Sequence, residues 1–251
     1  MECIDRQPSP PARRRAPIGL LALGVLLALA PAGAQATPIG GVVISEVFYN
    51  APGFDAGDEW VEIYNGSGSP ITLSDYSLGW GRDSYDDGTI VLGASLAPGT
   101  QLLPGETFVI GGPNSGGQNG NPTFDEIYDF SPNLNNGNDF WGTIQADAVA
   151  LFLGDIGTNP ALLPVHAIIY GRSNATTTLL DEQGNPATLM AVTNGVGSGQ
   201  SLEYQGGDTW AFQPSETPGA PAAGVPEPGT TQMMGLALVG LLGLARCSRP
   251  R

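Results

Sequence analysis

The chain has no lysine, a single histidine and two cysteines, and each scarcity removes a class of function. Between Thr37 and Pro228 it carries 22 aspartates and glutamates against only Arg82 and Arg172, a net charge of −20. A surface of that sign repels phosphate backbones and anionic headgroups, which excludes nucleic acid as a partner. Cys3 and Cys247 both fall in the terminal segments, so a domain between them has no disulfide and no thiol nucleophile. Its stability has to come from a core. His166 sits in the apolar run Val165-His166-Ala167-Ile168-Ile169-Tyr170, the setting of a packed residue rather than a general base. The serines lack a nucleophile-elbow pattern. Two carboxylates would suffice for a glycoside hydrolase, but so many acids at ordinary spacing single out no pair, and the sequence supports no enzyme.

What is present at the ends is export machinery. Arg13, Arg14 and Arg15 precede an apolar run from Ile18 to Leu29 and a small-residue exit at Ala34-Gln35-Ala36. That is the three-part order of a secretory signal peptide, residues 1–36, with cleavage expected after Ala36. At the other end Met233 to Ala245 is apolar but reaches only about 20 Å as a helix, short of a hydrocarbon core of about 30 Å. Arg246, Arg249 and Arg251 follow and would stay on the cytoplasmic side, so the tail predicts a transient membrane association. Pro226 and Pro228 keep the segment ahead of that helix extended, the form a processing enzyme needs.

Val225-Pro226-Glu227-Pro228, the short apolar helix and the arginine-rich end together resemble the PEP-CTERM sorting signal of exopolysaccharide-producing bacteria. The resemblance covers residues 223–251 and implies an exosortase, a membrane transpeptidase-like enzyme, as processing partner. Residues 37–222 are then the working domain.

Short apolar runs recur through that domain: 42–49, 59–64, 107–110, 148–153 and 166–170, with Gly, Pro, Asn or Asp in the gaps. In the second run Trp60, Glu62 and Tyr64 alternate with Val61 and Ile63, which predicts a half-buried strand with one wet face. No helical stripe of comparable length appears. The expectation is an all-β fold, an antiparallel β-sandwich flanked by an N-terminal signal helix and a C-terminal apolar helix.

Two of these runs carry a second resemblance. Ile44 to Asn50, Asp58 to Asn65 and Ile71 to Leu78 are similar to the opening of a lamin-tail domain. Leu103 to Ile110, Asp147 to Phe152, Gln200 to Glu203, Trp210 and Thr217-Pro218-Gly219-Ala220-Pro221 follow in family order. The resemblance implies an immunoglobulin-like sandwich. A long Asn- and Gly-rich insertion, 111–142, departs from it. Within the matching residues, Leu103-Pro104-Gly105-Glu106 predicts a tight turn with Gly105 at positive φ.

Three sets of candidate binding residues remain. Asp55, Asp58 and Glu59 share one loop and Asp83, Asp86 and Asp87 another, hard oxygen donors suited to Ca²⁺, although neither loop has the EF-hand order and Asp87-Gly88 also reads as a hairpin turn. Trp80, Tyr85, Phe140, Trp141 and Trp210 lie near loops, where exposed rings would stack on carbohydrate. Asn65-Gly66-Ser67 and Asn174-Ala175-Thr176 are glycosylation sequons. The reading that accounts for most of the chain is an exported, non-catalytic cell-surface or matrix module for adhesion or exopolysaccharide and biofilm association, with exopolysaccharide or envelope proteins as partners. A Ca²⁺-dependent or carbohydrate-binding module is the alternative, and a hydrolase the third reading.

Overall fold

β-Branched and aromatic residues occupy most of Val42–Asn50, which forms the first strand, β1. Trp60–Asn65 (β2), Ile71–Thr72 (β3), Tyr76–Gly81 (β4), Gly88–Val91 (β5), Gln101–Leu102 (β6), Thr107–Gly111 (β7), Glu126–Ile127 (β8), Ala146–Leu153 (β9), Pro164–Gly171 (β10), Gln200–Gly206 (β11) and Thr209–Gln213 (β12) follow. The computed structural model describes residues 41–52, 57–82, 84–134, 146–171, 178–187, 199–207, 209–221 and 225. The expected signal peptide and C-terminal apolar helix, residues 135–142 at the end of the insertion and the Asn174 sequon lie outside the described residues.

Six strands form one sheet in the order β12-β11-β1-β2-β7-β8, and four form a second in the order β10-β9-β4-β5. Every neighbouring pair is antiparallel except β7 with β8. The two sheets enclose one core. Val42, Ile44, Val61, Ile63, Phe108 and Ile110 from the first sheet meet Leu78, Trp80, Val149, Leu151, Ile168 and Tyr170 from the second. Alternation along each strand then sends the intervening residues outward.

Those outward residues are not left in water. β2 is buried at every position from Trp60 to Asn65, so the wet face expected for Trp60, Glu62 and Tyr64 does not exist. The alternation in the sequence is real; the polar-reading side is covered by other parts of the chain. Phe48 and Trp60 lie ring against ring, 5.9 Å apart, in a cluster with Val109 that Phe124 of the insertion joins. Asn119 of the same insertion is buried; its backbone oxygen accepts from Trp60 Nε1 at 2.9 Å, and its side-chain amide donates to Asp58 O and Asn114 O. The outward face of the second sheet is likewise capped, with Ala148, Ala150, Phe152, Ala167 and Ile169 packed under Ile156 and Leu179.

Turns follow the residues that demand them. Glu106 N donates to Leu103 O at 3.1 Å, and Gly105 sits at φ +85°, as the Pro-Gly pair requires. At Gly88 the constraint is space rather than angle, because an added Cβ would fall 2.2 Å from the Trp80 ring.

Candidate functional site

Register, rather than proximity in sequence, assembles the most unusual group in the molecule. Glu46 on β1 is the strand partner of both Glu203 on β11 and Glu62 on β2. Three carboxyl groups therefore stand in a row across three adjacent strands, an arrangement that like charges oppose. All three are buried, Glu62 completely.

Among the described residues, neutral donors hold the row. Ser201 Oγ donates to Glu46 Oε1, and Ser45 Oγ donates to Glu62 Oε1 at 2.6 Å. Gln205 and Gln213 donate to Glu203 Oε2. The remaining donors come from a strap formed by residues 217–221. Thr217 N reaches Glu46 Oε1 and Oε2 at 3.2 and 3.3 Å, Thr217 Oγ1 reaches Oε2 at 3.0 Å, and Gly219 N donates to Glu62 Oε2. Burial outweighs these bonds and pushes the carboxyls of Glu46 and Glu62 up to about 7, each raised further by its acidic neighbour in the row.

The strap itself is a surface feature: Thr217, Gly219 and Ala220 are exposed. Grooves of about 550 and 600 Å³ run along the strap, both lined by Thr107, Asp125 and Gly219. Beyond the strap, Val225 is buried with Val43, Tyr64 and Tyr204. The row and its strap can hold a chain end against the sheet. They cannot take a substrate while the strap covers them.

The remaining acids of the described residues mostly cap backbone. Glu126 accepts from Gly93 N and Ser95 N, Glu182 from Ala167 N, Glu106 from Leu103 N, and Asp125 from Val109 N, all between 2.8 and 2.9 Å. The candidate Ca²⁺ ligands fall in with them. Glu59 is turned inward, and its Oε2 accepts from Leu134 N at 2.9 Å. Asp58 is half-buried. Asp86 accepts from Ser84 Oγ, while Asp87 accepts from Arg82 N at 3.1 Å and lies 4.0 Å from Arg82 Nε. Asp55 and Asp83 lie outside the described residues. Among the described residues no three His, Cys, Asp or Glu side chains are grouped to hold a metal ion.

The aromatic platform is corrected for the rings that are described. Trp80 is 1% exposed, donates Nε1–H to Pro132 O at 2.7 Å, and meets Phe130 edge-on. Trp80 was expected near a loop, but it lies on β4, which runs through the core. Tyr85 is buried against Phe152 and donates its hydroxyl to Leu180 O. Trp210 is half-buried and stacked on His166. Phe140 and Trp141 lie outside the described residues. His166 is buried as expected; its Nδ1 accepts from Ile44 N at 3.0 Å, and burial lowers its pKa to about 3, so the ring stays neutral. The Asn65 sequon is closed off: Asn65 is fully buried, with Nδ2 donating to Ser69 O and Leu102 O and Oδ1 accepting from Ser67.

Of the sorting residues, Val225 is described and buried, while Pro226, Glu227, Pro228, Arg246, Arg249 and Arg251 lie outside, as do Ala34 and Ala36 of the signal exit. The buried row escaped sequence reading because Glu46, Glu62 and Glu203 become neighbours only through pairing. The Thr217-Pro218-Gly219-Ala220-Pro221 motif was the one available sign of its cover.

Two largely antiparallel sheets closed over a common core define an immunoglobulin-like β-sandwich. The family model of the Lamin Tail Domain matches residues 35–194, and the chain belongs to that family. Residues 224–249 match the PEP-CTERM protein-sorting motif, which marks the chain as exported, processed by an exosortase and sorted to the surface or envelope. No curated protein matches the chain. Among the described residues no helix is long and apolar enough to cross a membrane.

Proposed function

We propose that the chain is a non-catalytic module of the cell surface or extracellular matrix that mediates adhesion or exopolysaccharide association. One observation carries the reading: the sorting-motif match, residues 224–249, takes in Val225, which is buried against a sandwich whose described carboxylates are largely engaged in holding its own backbone. A hydrolase needs carboxyl groups open to substrate, and the row of Glu46, Glu62 and Glu203 lies under the strap. The strongly acidic exterior keeps such a module soluble outside the cell and suits basic partners in the envelope.

The test is deletion of residues 226–251 in the native cells. The intact chain is expected in the surface or matrix fraction and the truncated chain in the medium, with less exopolysaccharide retained on the cells. Unchanged retention after deletion would contradict the adhesion reading. Calorimetry of the mature protein with purified exopolysaccharide, with and without Ca²⁺, then tells direct binding from a passive matrix role.

A further inference from the structure

We propose that the 217–221 strap and Val225 form a latch that holds the entry to the sorting motif against the folded domain, so that processing requires the strap to lift. The inference rests on the reading of residues 224–249 as a processed sorting signal. It goes beyond that reading by assigning the sandwich a part in when the signal is cut.

Val225 opens the Val-Pro-Glu-Pro motif and is 6% exposed, packed among Val43, Tyr64 and Tyr204. An enzyme that cuts an extended segment has to take the residues flanking the scissile bond into its own cleft. A side chain seated in the domain is not available to that cleft. In sequence, only residues 222–224 separate Val225 from the strap.

The way the strap is held suits release. Its outer side faces solvent, and its grip comes from underneath, through Thr217 N, Thr217 Oγ1 and Gly219 N bonded to Glu46 and Glu62. An exposed segment held by a handful of hydrogen bonds can open without melting the sheet beneath it. When such opening is fast relative to cutting, cleavage follows the population of the open form. A folded domain then keeps its tail largely uncut until something draws the strap away.

The experiment uses the full chain in mild detergent and a proline-specific endopeptidase, with cuts after Pro226 and Pro228 followed by mass spectrometry. Thr217→Pro removes both strap donors to Glu46 from an exposed position, and Val225→Asp evicts the buried anchor. Each is expected to speed cleavage about tenfold or more, with the thermal transition of the sandwich unchanged. Equal cleavage rates in the native chain and both variants, all folded, would overturn the latch. Because the probe protease is not the native enzyme, this result stands apart from the sorting reading, which fails if the tail is uncut in native cells.

Discussion

The outward faces of the two sheets solve one problem with different chemistry. On the four-stranded sheet Ala148, Ala150, Phe152, Ala167 and Ile169 are covered by apolar side chains, chiefly Ile156 and Leu179. On the six-stranded sheet the outward face also carries apolar patches, Phe48 with Trp60 and Val43 with Tyr64 and Tyr204, but between them stand Glu46, Glu62 and Glu203, covered by the backbone N–H groups of an exposed strap and by serine and glutamine side chains. Apolar cover gains from every Å² removed from water and does not depend on proton uptake. Polar cover has to meet the desolvation of each carboxyl with bonds that water would also supply, so its net grip is small. The sandwich thus has a permanent lid on one side and a releasable one on the side from which the sorting tail departs.

On the apolar side Phe152 is fully buried. Phe152→Ala is expected to cost about 3–5 kcal/mol of global stability, read as a large fall in the thermal midpoint. A change under about 1 kcal/mol would mean that the apolar lid is not integral to the fold. The polar side gives a smaller effect with a pH signature. In the fold Glu46 and Glu62 hold protons up to about pH 7, against a carboxylate value of 4.5 without the fold. The folded chain therefore binds more protons than the unfolded chain between those values. Unfolding free energy falls as pH rises through that window and levels off above it. The loss is on the order of 3 kcal/mol for one carboxyl of the pair, since a tenfold difference in proton affinity is worth about 1.4 kcal/mol, and neighbours in the row titrate together. Glu46→Gln with Glu62→Gln removes the titration, so thermal midpoints measured from pH 5 to pH 8 should lose this downward component. A double variant with the native slope would refute the assignment.

The strand runs at Val42–Asn50, Trp60–Asn65, Thr107–Gly111, Ala146–Leu153 and Pro164–Gly171 were legible because β-branched and aromatic residues cluster between turn-formers. So was the Leu103–Glu106 turn, whose geometry is local. Trp60, Glu62 and Tyr64 were misread as solvated because alternation reports which side of a strand is less apolar, not whether distant residues such as Asn119 or Thr217 return to cover it. Trp80 was placed near a loop, whereas it lies on β4, where Gly79 and Gly81 make room for backbone and side chains packed close to the strand. The acidic row was invisible because its members lie far apart in sequence, and no local pattern encodes the pairing of β1 with β11. The abundance of carboxylates concealed it further, since the same residue type also caps Leu134, Gly93 and Ala167.

Hydrogen exchange at single-amide resolution, read at Thr217 and Gly219, tests the polar lid most directly. Their residues are exposed, yet both N–H groups point inward to carboxylates. Protection at these two amides well above that of a free peptide in the native chain is the predicted result, with Gly219 falling to the free-peptide rate in Thr217→Pro, which has no amide hydrogen at 217, while β1 and β2 stay protected. Free-peptide exchange at Gly219 in the native chain would mean that the strap does not sit on the row, and that the tail leaves the sandwich unlatched.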